Sequence, residues 1–320
     1  QSVYLEQIFQ TDTADLILIG EEMEADLQRL DQKFLQEQQW VYLAEYSKDQ
    51  KEGVQYLEKY RRADQIYREL LDLYAKKDHI HYENLSLVSG KTAFIAFVSA
   101  GGGIGASTIA CAAAKAFSHA EEVLYLNLED LGTCRLSFAG EDKSGLDELV
   151  YAIKSRRKTL ELKIESSVSR DGQGTYYFKE CANPMDLRSL SAEDVRELLR
   201  AIEAAGVYDK VIIDLGNGLQ DKELMVMTMV NRVIMITDQS EIAALKLERY
   251  LKFVQTIEEI RKIDIISKMQ IYFNRIIKGM QLPEHIFHIR VGGAFPLIEN
   301  GNYAGIIEKI AQMELLQSIE

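Results

Sequence analysis

Four glycines, an alanine and two hydroxyl side chains are packed into Gly101-Gly102-Gly103-Ile104-Gly105-Ala106-Ser107-Thr108, the stretch whose types and spacing point most directly to chemistry. An apolar run of strand length, Phe94-Ile95-Ala96-Phe97-Val98, leads in, and the alanine-rich Ile109–Lys115 leads out. Strand, glycine-rich loop and helix start make a phosphate cradle. Glycines let backbone N–H groups turn inward, and the helix N-terminus adds partial positive charge. Such a loop normally ends Gly-Lys-Ser/Thr, the lysine reaching the terminal phosphates and the hydroxyl holding Mg²⁺. Ser107 keeps the hydroxyl, but Ala106 stands at the lysine position. The stretch from Gly102 to Thr108, with Gly103, Ile104, Gly105, Ala106 and Ser107 between, is therefore the expected phosphate site, with weak or silent transfer chemistry. The competing reading is a ligand-free connector in which Ser107 and Thr108 only cap the helix.

Two more apolar runs end in acid. Val123-Leu124-Tyr125-Leu126 continues into Asn127-Leu128-Glu129-Asp130 as one strand, and Val211-Ile212-Ile213 ends at Asp214. Near-continuous apolar strands are those buried on both faces of a parallel sheet, and open α/β sheets place their chemistry at the strands' C-terminal ends. An acid there holds Mg²⁺ opposite the loop hydroxyl, which makes Ser107 and Asp214 the candidate metal pair. Arg232–Thr237 and Gln270–Asn274 read as further strands flanked by helical stretches. The expected fold over residues 86–320 is a doubly wound α/β domain with a parallel sheet.

Residues 1–85 alternate shorter runs: a strand over Leu16–Gly20, a helix over Glu24–Glu37, strands over Trp40–Ala44 and Val54–Tyr60, and an amphipathic helix from Ile66 to Tyr74. That order predicts a second, smaller parallel-sheet domain. The polar Lys76–Gly90 stretch serves as linker, and His79 and His81 in it have too few companions for a metal site. Composition narrows the function classes. The chain has 320 residues, 47% hydrophobic and 27% charged, which suits about two globular domains. A net charge of −13 with only Arg156-Arg157-Lys158 as a basic cluster speaks against nucleic acid, whose binding rests on phosphate neutralisation. Cys111, Cys134 and Cys181 lack CxxC spacing, which fits a reduced, cytoplasmic protein without zinc. No apolar segment approaches the roughly 20 residues that cross a bilayer. The start, Gln1-Ser2-Val3, has neither an initiator Met nor the layout of a signal peptide, as a trimmed chain would.

The loop, the two acid-ended strands and the late Asn274 together resemble the MinD/ParA family of P-loop ATPases over residues 92–310. That resemblance implies ATP (or ADP) with Mg²⁺ as cofactor and a homodimer. It assigns the signature lysine to Gly101 and the loop lysine to Ala106, so both are missing. It implies a switch role for Asn127-Leu128-Glu129, with Glu129 orienting the attacking water, and a Mg²⁺ role for Asp214. Adenine contact falls to Asn274, followed by Arg275, and the closing segment to Phe295-Pro296. Residues 1–85 resemble a response-regulator receiver whose acceptor Asp is replaced at Gly20 and whose Lys-Pro is Lys59-Tyr60. This implies a pseudo-receiver kept for docking. The pairing of domains, and Tyr177–Leu187 before Asp214, is similar to the TadZ/CpaE group, which localises Tad-type pilus machinery. The resemblance implies protein components of a pilus or secretion machine as partners, no nucleic acid, and no direct membrane insertion. It also implies a cytoplasmic protein recruited to the inner face of the membrane or a cell pole.

Four smaller expectations complete the reading. Ser191 and Asp194 have capping-box spacing. Met225, Met227 and Met229 serve as core, dimer face or soft binding surface. Ile306–Leu316 is amphipathic but not basic, so it docks on its own domain rather than on anionic lipid. Arg135 and Lys222 are the nearest candidates to replace a lost lysine, with solvated surface charge as their ordinary role.

Overall fold

Uninterrupted apolar runs become the parallel strands around which the larger part of the chain is wound. The structure is a computed structural model that describes residues 17–20, 40–44, 56–60, 66, 91–140, 145–155, 160–277, 279, 282–299 and 301–319. The chain divides into two compact units, Gln1–His81 and Tyr82–Glu320.

In the smaller unit β1 (Ile17–Gly20), β2 (Trp40–Ala44) and β3 (Tyr56–Glu58) form a parallel sheet in the order β1-β2-β3. Ile19, Val41 and Leu57 are buried. The third strand is shorter than the run Val54–Tyr60 suggests. Lys59 turns the chain, its N–H donating to the Ala44 carbonyl at 2.8 Å, and Tyr60 is exposed. The expected helix Glu24–Glu37, all but Ile66 of the Ile66–Tyr74 helix, the Lys76–Gly90 stretch with His79 and His81, and Arg156–Lys158 lie outside the described residues.

The larger unit holds a nine-stranded sheet in the order β11-β12-β10-β9-β4-β8-β5-β7-β6. Its strands are β4 (Ala93–Ser99), β5 (Val123–Asn127), β6 (Ser169–Arg170), β7 (Tyr176–Tyr177), β8 (Lys210–Asp214), β9 (Arg232–Thr237), β10 (Met269–Ile276), β11 (His285–Ile286) and β12 (Ile289–Pro296). The strands from β12 to β7 run parallel, and only the edge strands β11 and β6 are antiparallel. Eight helices accompany them among the described residues: α1 (Ala106–Phe117), α2 (Leu146–Lys154), α3 (Leu160–Ser167), α4 (Pro184–Arg188), α5 (Ala192–Ala205), α6 (Asp221–Met229), α7 (Glu241–Arg261) and α8 (Tyr303–Ala311). This is a mixed α/β fold with a mostly parallel central sheet.

Alternation along the strands shows why both faces need cover. Ile95 and Phe97 of β4, Ile212 of β8 and Tyr125 of β5 join one core cluster with α1 and α8. Their neighbours Phe94, Ala96, Val98, Ile213 and Leu126 point the other way and are buried too. β4 lies between β8 and β9, while the chain passes first from β4 to β5, one place beyond β8. The winding direction reverses at β4, and the crevice at its C-terminal end is where such sheets bind ligands.

Several side-chain expectations resolve in the packing. Met225, Met227 and Met229 are fully buried in α6, so they are core and not a binding surface. The amphipathic C-terminal segment closes the core: Ile307, Ile310, Leu316 and Ile319 join the α1 cluster. Lys115, buried on α1, donates to Glu308 of α8 at 2.9 Å and lies 3.5 Å from Asp171. Ser191 and Asp194 form a complete capping box at the start of α5. β5 ends at Asn127 and not at Asp130, because the Asn127 side chain accepts the Glu129 N–H at 2.9 Å and turns the chain out of the sheet.

Candidate nucleotide cleft

The loop after β4 is anchored from below and open above. At its entry the Ser99 hydroxyl donates to the Gly101 carbonyl at 2.9 Å, and the Ser99 N–H donates to the Gly216 carbonyl at 2.9 Å. Gly103 and Gly105 have φ of +75° and +102°, a region that L side chains enter only under strain. Between and after them Ile104 and Ala106 turn inward and join the core cluster. Apolar side chains thus fix the loop while its backbone faces out. Ser99, Gly102–Thr108, Glu129, Gly216, Asn217 and Arg275 line a cleft of about 210 Å³.

Ser107 and Thr108 do not cap α1. The N-cap is Gly105, with no side-chain cap. Ser107 Oγ instead faces the acids, donating to Glu129 Oε2 at 3.4 Å. Asp214 stands behind this pair, fully buried, accepting from Tyr125 Oη at 2.9 Å and from the Gly216 N–H at 3.2 Å. Burial pushes its carboxyl up to about 6. The Glu129 charge pushes the same way, while hydrogen bonds from Ser107, Tyr125 and Gly216 pull it down. Glu129 lies over Gly216, where a Cβ would approach its Cγ to 2.9 Å, so a glycine with φ of +63° makes room for the carboxylate. One hydroxyl and two carboxylates in a cluster are hard oxygen donors, the set that suits Mg²⁺. Among the described residues no group of three His, Cys, Asp or Glu forms a metal cluster by itself.

Asn274 and Arg275 arrive from β10. Asn274 is buried, and its Nδ2 donates to the Ile104 carbonyl at 2.7 Å while its Oδ1 accepts the Arg275 N–H at 2.9 Å. It clamps the loop, and the fit is close: a Cβ on Gly105 would lie 2.3 Å from Asn274 Nδ2. Arg275, with φ of +57°, borders both the loop cleft and a second cavity of about 180 Å³. That neighbour is largely apolar, lined by Leu297, Ile298, Tyr303, Ile306 and Ile310 beside Thr108 and Asn274. The polar loop cleft and the apolar cavity adjoin, sharing Thr108 and Arg275 in their linings, a size and character that suit a phosphate chain joined to a flat base.

Neither candidate replacement for the lysine serves the loop. Arg135 is exposed and pairs with Glu180 at 2.7 Å. Lys222 is not a solvated charge: its side chain is 9% exposed and donates to Asp130 at 2.5 Å. Tyr125 was not among the expected site residues. Its signal is a lone hydroxyl inside an otherwise apolar buried strand, which must find a partner.

No family model and no curated protein matches the chain. Solved structures do. A ParA family ATPase from Chlorobium tepidum TLS superposes with a TM-score of 0.55 at 20% identity, covering 68% of this chain and 98% of its own. Apo McdA from Cyanthece gives 0.52 at 14% identity, covering 68% and 90%. The MinC:MinD cell division complex of Aquifex aeolicus gives 0.49 at 13%, covering 71% and 93%. The first two likenesses establish the fold, that of ParA-family P-loop proteins.

Proposed function

We propose that the larger unit binds ATP (or ADP) with Mg²⁺ and acts through occupancy with little or no hydrolysis, as a localisation factor resembling the TadZ/CpaE group. The carrying observation is the pair of adjoining cavities: backbone-lined where phosphates sit, apolar where a base sits, and not packed shut at Ala106. A connector loop without a ligand has no need of such a space. In this reading Gly102–Thr108 hold the phosphates, Ser107 with Asp214 behind it holds Mg²⁺, and Thr108, Asn274 and Arg275 border the base. The bound nucleotide supplies the phosphate charge that the ion and the loop then share.

Loss of both lysines separates binding from turnover. A charge-assisted hydrogen bond to phosphate is worth roughly 1.5–3 kcal/mol, or one to two decades of affinity. Backbone donors and the helix dipole remain. Hydrolysis loses more, since a cation on the transferring phosphoryl group is worth roughly 10³–10⁵ in rate. The smaller unit, with Gly20 at the end of β1 where a phospho-acceptor would stand, is read as a pseudo-receiver docking module. A cytoplasmic homodimer would recruit protein components of a pilus or secretion machine to the membrane's inner face or a cell pole.

One observation favours a second reading, a slow ATPase that positions cargo: Glu129 already touches the Ser107 hydroxyl. The test is the small-molecule content of freshly purified, denatured protein, with a Mg²⁺-ATP titration and single-turnover hydrolysis. Bound nucleotide without turnover supports the scaffold. Turnover lost in Glu129→Ala supports the ATPase, and no binding at millimolar ATP defeats both.

A further inference from the structure

The sequence lost its lysines at positions 101 and 106, yet the structure returns one to the loop from a distant helix. α7 seats its buried face through Ala243, Leu247 and Tyr250, and Ala243 joins the core cluster that contains Ile104. Lys246, one turn after Ala243, rises at the edge of that face beside the loop's first residue. A Cβ on Gly101 would lie 3.1 Å from Lys246 Cδ and 3.2 Å from Lys246 Nζ. A side chain at 101 would press on the Lys246 ammonium and its stem, which lie against this glycine. Lys246 is exposed, and neither an ion pair nor a hydrogen bond engages its ammonium among the described residues. By contrast Lys115, Lys154, Lys163, Lys210 and Lys222 each hold a carboxylate.

We infer that Lys246 is the cation of this phosphate loop, binding the terminal phosphate of a nucleoside triphosphate in place of the missing loop lysines. The end of the nucleotide it meets follows from direction. The apolar cavity adjoins Thr108 and Arg275 at the far end of the loop, whereas Lys246 stands at Gly101, the near end. A base in that cavity runs its phosphates back along the loop toward Lys246. A compact ammonium on a flexible stem suits that position, since it follows a phosphate without a fixed planar geometry.

This inference rests on the nucleotide reading, and the experiment separates the two. Full-length protein, Lys246→Ala, Lys246→Arg and Lys246→Glu are titrated with ATP and with AMP in Mg²⁺, at two salt concentrations. Circular dichroism checks that the exposed substitutions leave the fold intact. Lys246→Ala is expected to weaken ATP by about tenfold to a hundredfold, the worth of one charge-assisted phosphate contact. AMP affinity stays within about twofold, Lys246→Arg recovers most of the loss, and Lys246→Glu loses more than Lys246→Ala, increasingly so at low salt. Wild-type binding of ATP with no change in Lys246→Ala overturns the role of Lys246 and leaves the nucleotide reading standing. Equal losses for ATP and AMP overturn it as well, because they place the lysine elsewhere than the terminal phosphate. No ATP binding by the wild type overturns both.

Discussion

Gly105→Ala tests how the loop is held, because one added methyl meets two obstacles there. Gly105 has φ of +102° and ψ of 22°, where an L side chain costs about 1–3 kcal/mol. The same methyl would lie 2.3 Å from Asn274 Nδ2, so Asn274 must leave the Ile104 carbonyl. Losing that buried hydrogen bond adds about 1 kcal/mol. The sum is about 2–4 kcal/mol, and for a unit of this size 3 kcal/mol lowers the melting temperature by about 6–12 °C. Far-ultraviolet circular dichroism is the readout. The single tryptophan, Trp40, lies in β2 of the smaller unit, so its fluorescence follows the wrong part of the chain. Asn274→Ala alone costs about 1–2 kcal/mol by leaving the Ile104 carbonyl unpaired. In the double variant the bond is lost once and the clash disappears, so the two changes together cost about 1 kcal/mol less than their sum. Additivity to within about 0.3 kcal/mol, or a Gly105→Ala chain as stable as the wild type, refutes the clamp.

Other consequences follow from charges and thiols. Burial pushes Asp194 upward, but hydrogen bonds from Lys154 and from Ser191 outweigh it and hold the carboxyl below its ordinary value. The α5 cap therefore stabilises above that ordinary value, 3.8, and fades as pH falls through the lower folded value. Asp194→Ala should cost about 1 kcal/mol at neutral pH and nothing in strong acid, measured as melting temperature against pH. Lys115→Met should destabilise by about 1–3 kcal/mol, discounted for the exposure of Glu308, and raise hydrogen exchange in α8; unchanged exchange there contradicts the α1–α8 tie. Burial raises the thiols of Cys111 and Cys181 to about 12 and that of Cys134 further, with Glu180 adding to it. Native protein should resist alkylation at neutral pH and take up three labels on denaturation, read by mass spectrometry.

The sequence displays the parallel strands openly because strands buried on both faces are written as unbroken apolar runs. β4, β5, β8 and β9 are built on such runs, while β10 (Met269–Ile276) carries only the short run Ile271–Phe273 and extends past the expected Gln270–Asn274. Ser107, Glu129 and the loop glycines were legible for a similar reason, since they follow the ends of β4 and β5, which the fold brings together. What pattern could not supply is the third dimension. Nothing near the loop in sequence announces Lys246, whose position depends on how α7 seats Ala243 in the core cluster that also holds Ile104. Asn274 was legible as a late polar residue in an apolar strand, but not that its amide would clasp the loop's own carbonyl. Lys222 looked like surface charge because periodicity gives no warning that α6 is buried almost all round.

The order of anchoring bears on what a ligand can change. Ile104 and Ala106 sit in the core, Ser99 is tied to Gly216, and Asn274 holds the Ile104 carbonyl, so the cradle is held by the protein's own contacts. On the nucleotide reading, binding would then cost little ordering entropy, which would offset part of the affinity that a loop lysine supplies. Among the described residues two cations near the loop have no ion-pair partner, Lys246 beside Gly101 and Arg275 in the cleft lining, both on elements other than the loop. On the nucleotide reading proposed above, a ligand would meet a floor already formed and draw in two side chains from α7 and β10. On that reading the floor is not itself the switch, and a signal of occupancy would leave through the helix and strand that carry those two charges.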